Sequence, residues 1–238
     1  MIRDCLYSSP MKRCAIIVAA GKSVRFGGDT PKQFLELADR PLLSWTISRF
    51  EQAGSIDSIV VVVDGGWLRH TMEKVIEPYG FTKVIGVVSG GHSRQESVKN
   101  GLIKVKDTAR FVAIHDGARP LVRPDDIDRT VDAAIVNEAA MLAERSTDTI
   151  KRVEGGRVVA TLNRNVLYRA QTPQVFRYEI IKKAHDEAKP EDVTDDSYLV
   201  ERRGIAVHIV EPTGPNLKVT TEADFAMAEA ILRSNGHV

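Results

Sequence analysis

Short runs of β-branched residues alternate with amphipathic stretches along most of this 238-residue chain, and that alternation restricts the fold more than any other feature. SIVVVVD, Ser58 to Asp64, is the plainest run. Its apolar residues follow one another without polar alternation, as in a strand covered on both faces. Cys14 to Ala19, Lys83 to Val88 and Arg110 to Asp116 read the same way. Between them, Leu42 to Gln52, Trp67 to Tyr79 (ending at Gly80), Ser93 to Val105 and Pro124 to Asn137 carry helical spacing, with Pro124 where a first helical turn tolerates proline. This order predicts an α/β fold with a mostly parallel sheet and helices on both faces.

The alternation breaks near Ser146. TDTIKRVEGGRVVATLNR, Thr147 to Arg164, alternates polar and apolar residues around Glu154-Gly155-Gly156. That is a hairpin pattern, and its Arg and Lys content suits a protruding arm better than a core strand. An irregular stretch is expected after Arg164. It is followed by helices near Tyr178 to Ala188 and Asp195 to Arg203, a last strand at Ala206 to Val210 and a closing helix at Glu222 to Arg233. With no repeat or linker to divide the chain, residues 13–238 are expected to form one domain with an inserted arm at about 146–165. Residues 1–12 are expected to be a disordered extension.

Bulk properties exclude several classes. A formal net charge of +1 gives no global basic field for nucleic acid or an anionic membrane. No apolar run approaches the roughly 20 residues of a membrane helix. The first ten residues, MIRDCLYSSP, lack a signal-peptide core. Cys5 and Cys14 make neither a disulfide framework nor a metal cluster, and free thiols in a cytoplasmic protein are the expectation.

In such sheets the binding crevice lies beyond the carboxyl ends of the strands, where the chemically unusual stretches fall. AAGKSVRFGG follows the first strand. Its small residues let backbone approach a phosphate, with Arg25 and Lys32 adding charge; it could equally be a glycine-rich turn with two solvated cations. It matches neither GxxxxGKS nor GxGxxG. SGGHSRQESV, Ser89 to Val98, reads first as a helix start with a serine cap, although Gly90 and Gly91 could sit against a flat base whose edge Ser93 or Ser97 could hydrogen-bond. HDGARP, His115 to Pro120, puts Asp116 at a strand end, either to hold magnesium beside phosphates or to pair with Arg119 and close a turn. RAQTPQVF, Arg169 to Phe176, reads as a polar loop. PNLKVTTEAD, Pro215 to Asp224, sets Lys218 just before the last helix, whose cap is Thr220 or Thr221. A lysine beside a helix N-terminus is a poor use of charge unless an anion binds there.

Taken in order, AAGKSVRF, PKQF, GGHSRQESV, HDGARP, DTIKR, LNRNVLYRAQTPQVF, TDDS and NLKVT resemble the 2-C-methyl-D-erythritol 4-phosphate cytidylyltransferase family of the non-mevalonate isoprenoid route, from about Cys14 to the final helix. The resemblance implies a Rossmann-like three-layer nucleotidyltransferase fold. It also implies a magnesium-assisted reaction in which a polyol phosphate attacks the α-phosphorus of CTP and pyrophosphate leaves. By the same resemblance, Arg25, Lys32, Arg164 and Lys218 are catalytic. Ala19, Ala20, Gly21, Arg25, Lys32, Gly90, Gly91, Ser97 and Asp116 bind CTP. Asp116, Arg119, Thr149, Arg164, Thr172 and Lys218 face the second substrate, and Asp116 is the metal candidate. In the family the arm reaches across a homodimer, so Thr149 and Arg164 would serve the neighbouring copy's site. One departure stands out: Ser23 occupies the second glycine of the family's AAGxGxR loop.

Two alternatives compete. A pentitol-phosphate cytidylyltransferase, acting on ribitol 5-phosphate, would share PKQF and QTPQ. A catalytically inactive nucleotide-binding regulatory module would keep the fold alone.

Overall fold

The computed structural model describes residues 12–21, 30–189 and 195–234. Ser23, Arg25 and residues 1–11 lie outside them. Lys12, assigned from sequence to the extension, already belongs to the fold, since its carbonyl accepts the Arg110 N–H at 2.8 Å.

In chain order the elements are β1 (Arg13–Ala19), β2 (Glu36–Leu37), β3 (Arg40–Pro41), α1 (Leu42–Gln52), β4 (Ser58–Val63), α2 (Leu68–His70) and β5 (Val84–Ser89). They continue with α3 (Arg94–Val105), β6 (Phe111–Asp116), α4 (Pro124–Asn137), β7 (Ala139–Arg145), β8 (Lys151–Glu154), β9 (Arg157–Thr161) and β10 (Tyr168–Arg177). The last are α5 (Tyr178–Glu187), α6 (Asp196–Glu201), β11 (His208–Val210) and α7 (Glu222–Ser234).

Seven strands form one sheet in the order β11-β7-β10-β6-β1-β4-β5. The β1–β4, β1–β6, β4–β5 and β7–β11 pairs are parallel; β10 is antiparallel to both its neighbours. Side chains of successive strand residues leave on opposite faces. Ala15 and Ile17 of β1 therefore join α1 and α4 through Leu43, Ile47, Phe50, Ile127 and Val131. Cys14 and Ile16 join α3, α5 and α6 through Val98, Leu102, Ile181 and Leu199. This is the expected three-layer α/β arrangement, with a core on each face. A third cluster, Leu37, Trp45, Val219 and Leu232 among others, seats α7 against the β2–β3 hairpin.

Three sequence expectations are corrected. The stretch after Arg164, read as irregular with a polar loop at Arg169 to Phe176, contains the ten-residue central strand β10. Its register shifts between Ala170 and Gln174, which takes the Thr172-Pro173 pair out of step with β7. The buried glutamines beside that pair are hydrogen-bonded rather than solvated. Strand β7, AAMLAER, was not foreseen because it holds no β-branched residue. The segment from Gly65 to Tyr79 is a succession of 3-10, α and π turns rather than one helix, although it does end at Gly80, with φ of 61°.

Candidate active site

A cavity of about 530 Å³ opens at the carboxyl ends of β1, β4, β5 and β6. Its walls include Ala19, Ala20 and Gly21 after β1, Gly90 and Gly91 after β5, Ser97 on α3 and Asp116 ending β6, with Lys32 and Lys218 at its edge. Sequence reasoning named all nine of these for the nucleotide or the chemistry.

Local sequence explains how each arrives there. The turn carrying Lys32 is pinned on two sides. Gln33 Nε2 donates to the Ala19 carbonyl at 2.7 Å, and Phe34 stacks on Trp67 with ring centroids 4.6 Å apart. Gly90 lies so close to its neighbours that an added Cβ would sit 2.5 Å from Ala20 Cβ and 2.8 Å from Ser97 Oγ. Ser93 caps α3 as expected, accepting from Glu96 N–H at 3.1 Å, while the Glu96 carboxylate reaches back to His92 N–H at 2.7 Å. The Ser97 hydroxyl accepts from Gly91 N–H at 3.1 Å and donates to the Ser93 carbonyl at 2.9 Å, so it shapes the glycine wall from behind. Lys218 is bracketed by two staples. Arg119 Nη1 donates to the Asn216 carbonyl at 2.7 Å, and Val219 N–H donates to Ala118 at 2.8 Å.

Asp116 is the electrostatic centre. One carboxylate oxygen meets Arg94 Nε at 3.3 Å; the other meets Lys218 Nζ at 2.8 Å and Arg119 Nε at 3.6 Å. Burial alone would push this carboxyl up, but Arg94, Lys218 and Arg119 outweigh it and hold it well below the usual carboxylate range. Of the readings of HDGARP, the turn-closing pair is present, Asp116 with Arg119, and Asp116 also lines the cavity.

Behind Asp116 runs a hydrogen-bond chain with a fixed direction. His115 Nε2 lies 3.2 Å from the Arg119 carbonyl, which can only accept, so that nitrogen carries the proton. Nδ1 then accepts from the Thr172 hydroxyl at 3.0 Å, and Thr172 Oγ1 accepts from Asp116 N–H at 3.1 Å. Complete burial pushes His115 down to about 3, which keeps the ring neutral. Thr172, expected to touch substrate, is 4% exposed and bonded into this chain.

Thr149 and Arg164 do not line the cavity. Both are exposed on the arm, where Arg164 Nη1 donates to the Thr147 carbonyl at 2.8 Å. Arg25 falls outside the described residues. Sequence reasoning passed over Arg94 and Asp196, although both stand in quoted motifs. Arg94 is the first residue of α3. The argument that singled out Lys218, a cation at a helix N-terminus, would have found it too.

A mostly parallel three-layer sheet with a glycine-walled cavity and clustered cations at its carboxyl edge defines an α/β nucleotidyltransferase. A family model described as IspD: 2-C-methyl-D-erythritol 4-phosphate cytidylyltransferase matches residues 13–234. A relative of that name from Geotalea uraniireducens (strain Rf4) is 44% identical over 228 residues, covering 94% of this chain and 98% of its own. Another from Geobacter metallireducens is 42% identical over 224 residues, covering 92% and 97%. The crystal structure of 4-diphosphocytidyl-2C-methyl-D-erythritol synthase from Anaerococcus prevotii DSM 20548 superimposes with a TM-score of 0.83 at 29% identity, covering 94% of this chain and 96% of its own. The Francisella tularensis 2-C-methyl-D-erythritol 4-phosphate cytidylyltransferase does so with a TM-score of 0.76 at 31% identity, covering 92% and 99%. The chain belongs to the 2-C-methyl-D-erythritol 4-phosphate cytidylyltransferase family.

Proposed function

We propose that this chain converts CTP and 2-C-methyl-D-erythritol 4-phosphate to 4-diphosphocytidyl-2-C-methyl-D-erythritol and pyrophosphate. The observation that carries this reading is the Asp116 cluster, in which Arg94, Arg119 and Lys218 converge at the edge of a glycine-walled cavity. A phosphate oxygen of the alcohol attacks the α-phosphorus of CTP in line, and the β-phosphate oxygen leaves with pyrophosphate. Such a reaction asks the protein for position and charge rather than a nucleophile. The cytosine sits against Ala19, Ala20, Gly90 and Gly91, with Ser97 holding the wall. Lys32 and Arg25 meet the triphosphate. Lys218 draws the attacking phosphate to the α-phosphorus, with Arg119 beside it.

Magnesium fits this site. Among the described residues no three His, Cys, Asp or Glu side chains gather to cage a metal. Magnesium is commonly held by one or two carboxylates plus substrate phosphates, and Asp116 offers such a carboxylate at the cavity wall. When bound there, the ion neutralises charge on the phosphates.

The arm supports a homodimer with exchanged arms. Val153, Val158 and Val159 remain exposed on the hairpin, a surface that a second copy would cover, bringing Thr149 and Arg164 to the neighbouring site. No helix among the described residues is long and apolar enough to cross a membrane.

The test is pyrophosphate release with CTP and magnesium, comparing 2-C-methyl-D-erythritol 4-phosphate with ribitol 5-phosphate. Release with the first alone supports the reading. Release with the second alone keeps the mechanism and overturns the substrate. Binding of CTP without release from either moves the regulatory-module reading to the front.

A further inference from the structure

The TDDS motif has no role in the reaction described above, yet its second aspartate is tied to the cavity. Asp196, at the start of α6, is almost wholly buried. Its Oδ2 accepts from Arg94 Nη1 at 2.7 Å and its Oδ1 meets His185 Nε2 at 2.9 Å. Gln174, from the QTPQ motif on β10, fixes the turn that presents it. Gln174 Oε1 accepts from Asp196 N–H at 3.0 Å and Ser197 N–H at 2.9 Å, and Gln174 Nε2 donates to Asp195 Oδ2 at 3.2 Å. Arg94 therefore spans two carboxylates, Asp196 through Nη1 and Asp116 through Nε.

We infer that Asp196 and Arg94 are positioning residues, which lock the Asp116 carboxylate in the rotation that offers its second oxygen to Lys218. The inference rests on the proposed reaction, in which Asp116 and Lys218 act. An arginine side chain has many rotamers, and by itself would hold a carboxylate loosely. With Nη1 seated on Asp196, the planar fork leaves Nε aimed at one Asp116 oxygen. Asp116 is then gripped on opposite sides, by Arg94 on Oδ1 and by Lys218 and Arg119 on Oδ2. Without Asp196, Arg94 is free to turn its fork fully onto Asp116 and compete with Lys218 for it. Burial would push the Asp196 carboxyl up, but Arg94 and then His185 outweigh it and hold it ionised.

The experiment is a double-mutant cycle on pyrophosphate release, joined to NMR of the Arg94 Nε–H. Asp196→Asn keeps the side-chain volume and leaves the Gln174 bonds to backbone in place. Its expected effect is a fall in kcat of about tenfold, with KM for CTP changed less than about twofold, since misplacement of a reacting group acts on the chemical step. In an Asp116→Asn background the same change should lower kcat less than about twofold, because its only route to the chemistry is gone. The Arg94 Nε–H signal, protected by Asp116 in the unaltered protein, should broaden or shift in Asp196→Asn. If Asp196→Asn does not fold, Arg94→Lys replaces it: an ammonium serves one carboxylate at a time, so the same loss and the same dependence on Asp116 are expected. Equal losses in both Asp116 backgrounds would show a merely structural role and overturn the inference. So would an unaltered kcat in a folded variant. Failure of the unaltered protein to release pyrophosphate would sink the reaction instead, and the NMR signal would still decide whether the clamp exists.

Discussion

Gly90→Ala should damage folding and nucleotide use together, because its methyl has no room. The new methyl would sit 2.5 Å from Ala20 Cβ and 2.8 Å from Ser97 Oγ. Neither neighbour is the far end of a flexible side chain. Ala20 has no rotamer to change. The Ser97 hydroxyl is engaged with Gly91 N–H at 3.1 Å and the Ser93 carbonyl at 2.9 Å. The loop after β5 must therefore shift, at an overpacking cost of about 1–3 kcal/mol. For a chain of this size that lowers Tm by about 2–4 °C per kcal/mol. The same shift moves the cavity wall, so KM for CTP should rise about tenfold, equivalent to about 1.4 kcal/mol. Ala20→Gly removes the nearer obstacle. The double variant should recover part of both losses, with a coupling of about 1 kcal/mol. Gly54→Ala, away from the cavity, is the control, since its added Cβ would meet Asp128 Oδ2 at 3.7 Å, an ordinary van der Waals contact. Thermal melts and CTP titrations of the four variants decide the matter. A Gly90→Ala protein with unchanged Tm and KM, or strict additivity with Ala20→Gly, would refute the steric argument.

Three further outcomes are expected. Thr172→Val leaves Asp116 N–H and His115 Nδ1 buried without partners, and should cost about 2–4 kcal/mol in urea melts; Thr172→Ser, which keeps the hydroxyl, should cost under about 1 kcal/mol. The Asp224 carboxyl is held at about 2 by the Thr220 hydroxyl and the Thr220 and Thr221 N–H groups that it accepts from. Its folded value lies below the unfolded one, so its stabilisation is complete above a pH of about 4 and fades as pH falls towards the folded value. Solvent screening keeps it under about 1 kcal/mol, so Asp224→Asn should be slightly less stable than the unaltered protein in melts at neutral pH, and equal to it in melts near pH 2. The Cys14 thiol is pushed up to about 11 by burial, so in a Cys5→Ser background it should react with a thiol reagent at pH 8 at least about a hundredfold slower than free cysteine. Labelling at the free-cysteine rate in folded protein would contradict its burial.

What could be read from sequence follows from where each signal originates. Strand β4 was legible because SIVVVV is buried on both faces, and a continuous apolar run records that directly. Strand β10 was not. Its QTPQ segment satisfies its polar groups through residues far along the chain, Asn216 for Gln171 and Asp195 and Asp196 for Gln174, and such partners leave no local pattern. Strand β7 hid for a different reason, since its buried alanines and methionine fill the strand between β11 and β10 without showing β-branched propensity. At the cavity, Lys32, Asp116, Lys218 and the glycine pair stood out as small or charged residues, but each kept a bland local alternative; it was the order of the motifs, through the family resemblance, that gave them roles. Arg94 was legible only as a cation at a helix start, and Asp196 not at all, because its meaning lies in a salt bridge between α3 and α6.

The antiparallel strand wedged into the sheet has a consequence for the order of assembly. As the chain leaves the ribosome, β1, β4, β5 and β6 are complete long before β10, yet β6 pairs with β10, as in Ile114 with Gln174. Until then β6 presents an open edge, the part of a nascent sheet most prone to pair with the wrong strand. The same delay governs the chemistry. Arg94 and Asp116 belong to the first half of the chain, whereas Thr172, Asp196 and Lys218 belong to the second. A half-made chain therefore has Asp116 and Arg94 but lacks the Lys218, Thr172 and Asp196 that they bond in the finished fold. Competence arrives only near the end of synthesis, when the segment bearing Lys218 closes over the turn after β6.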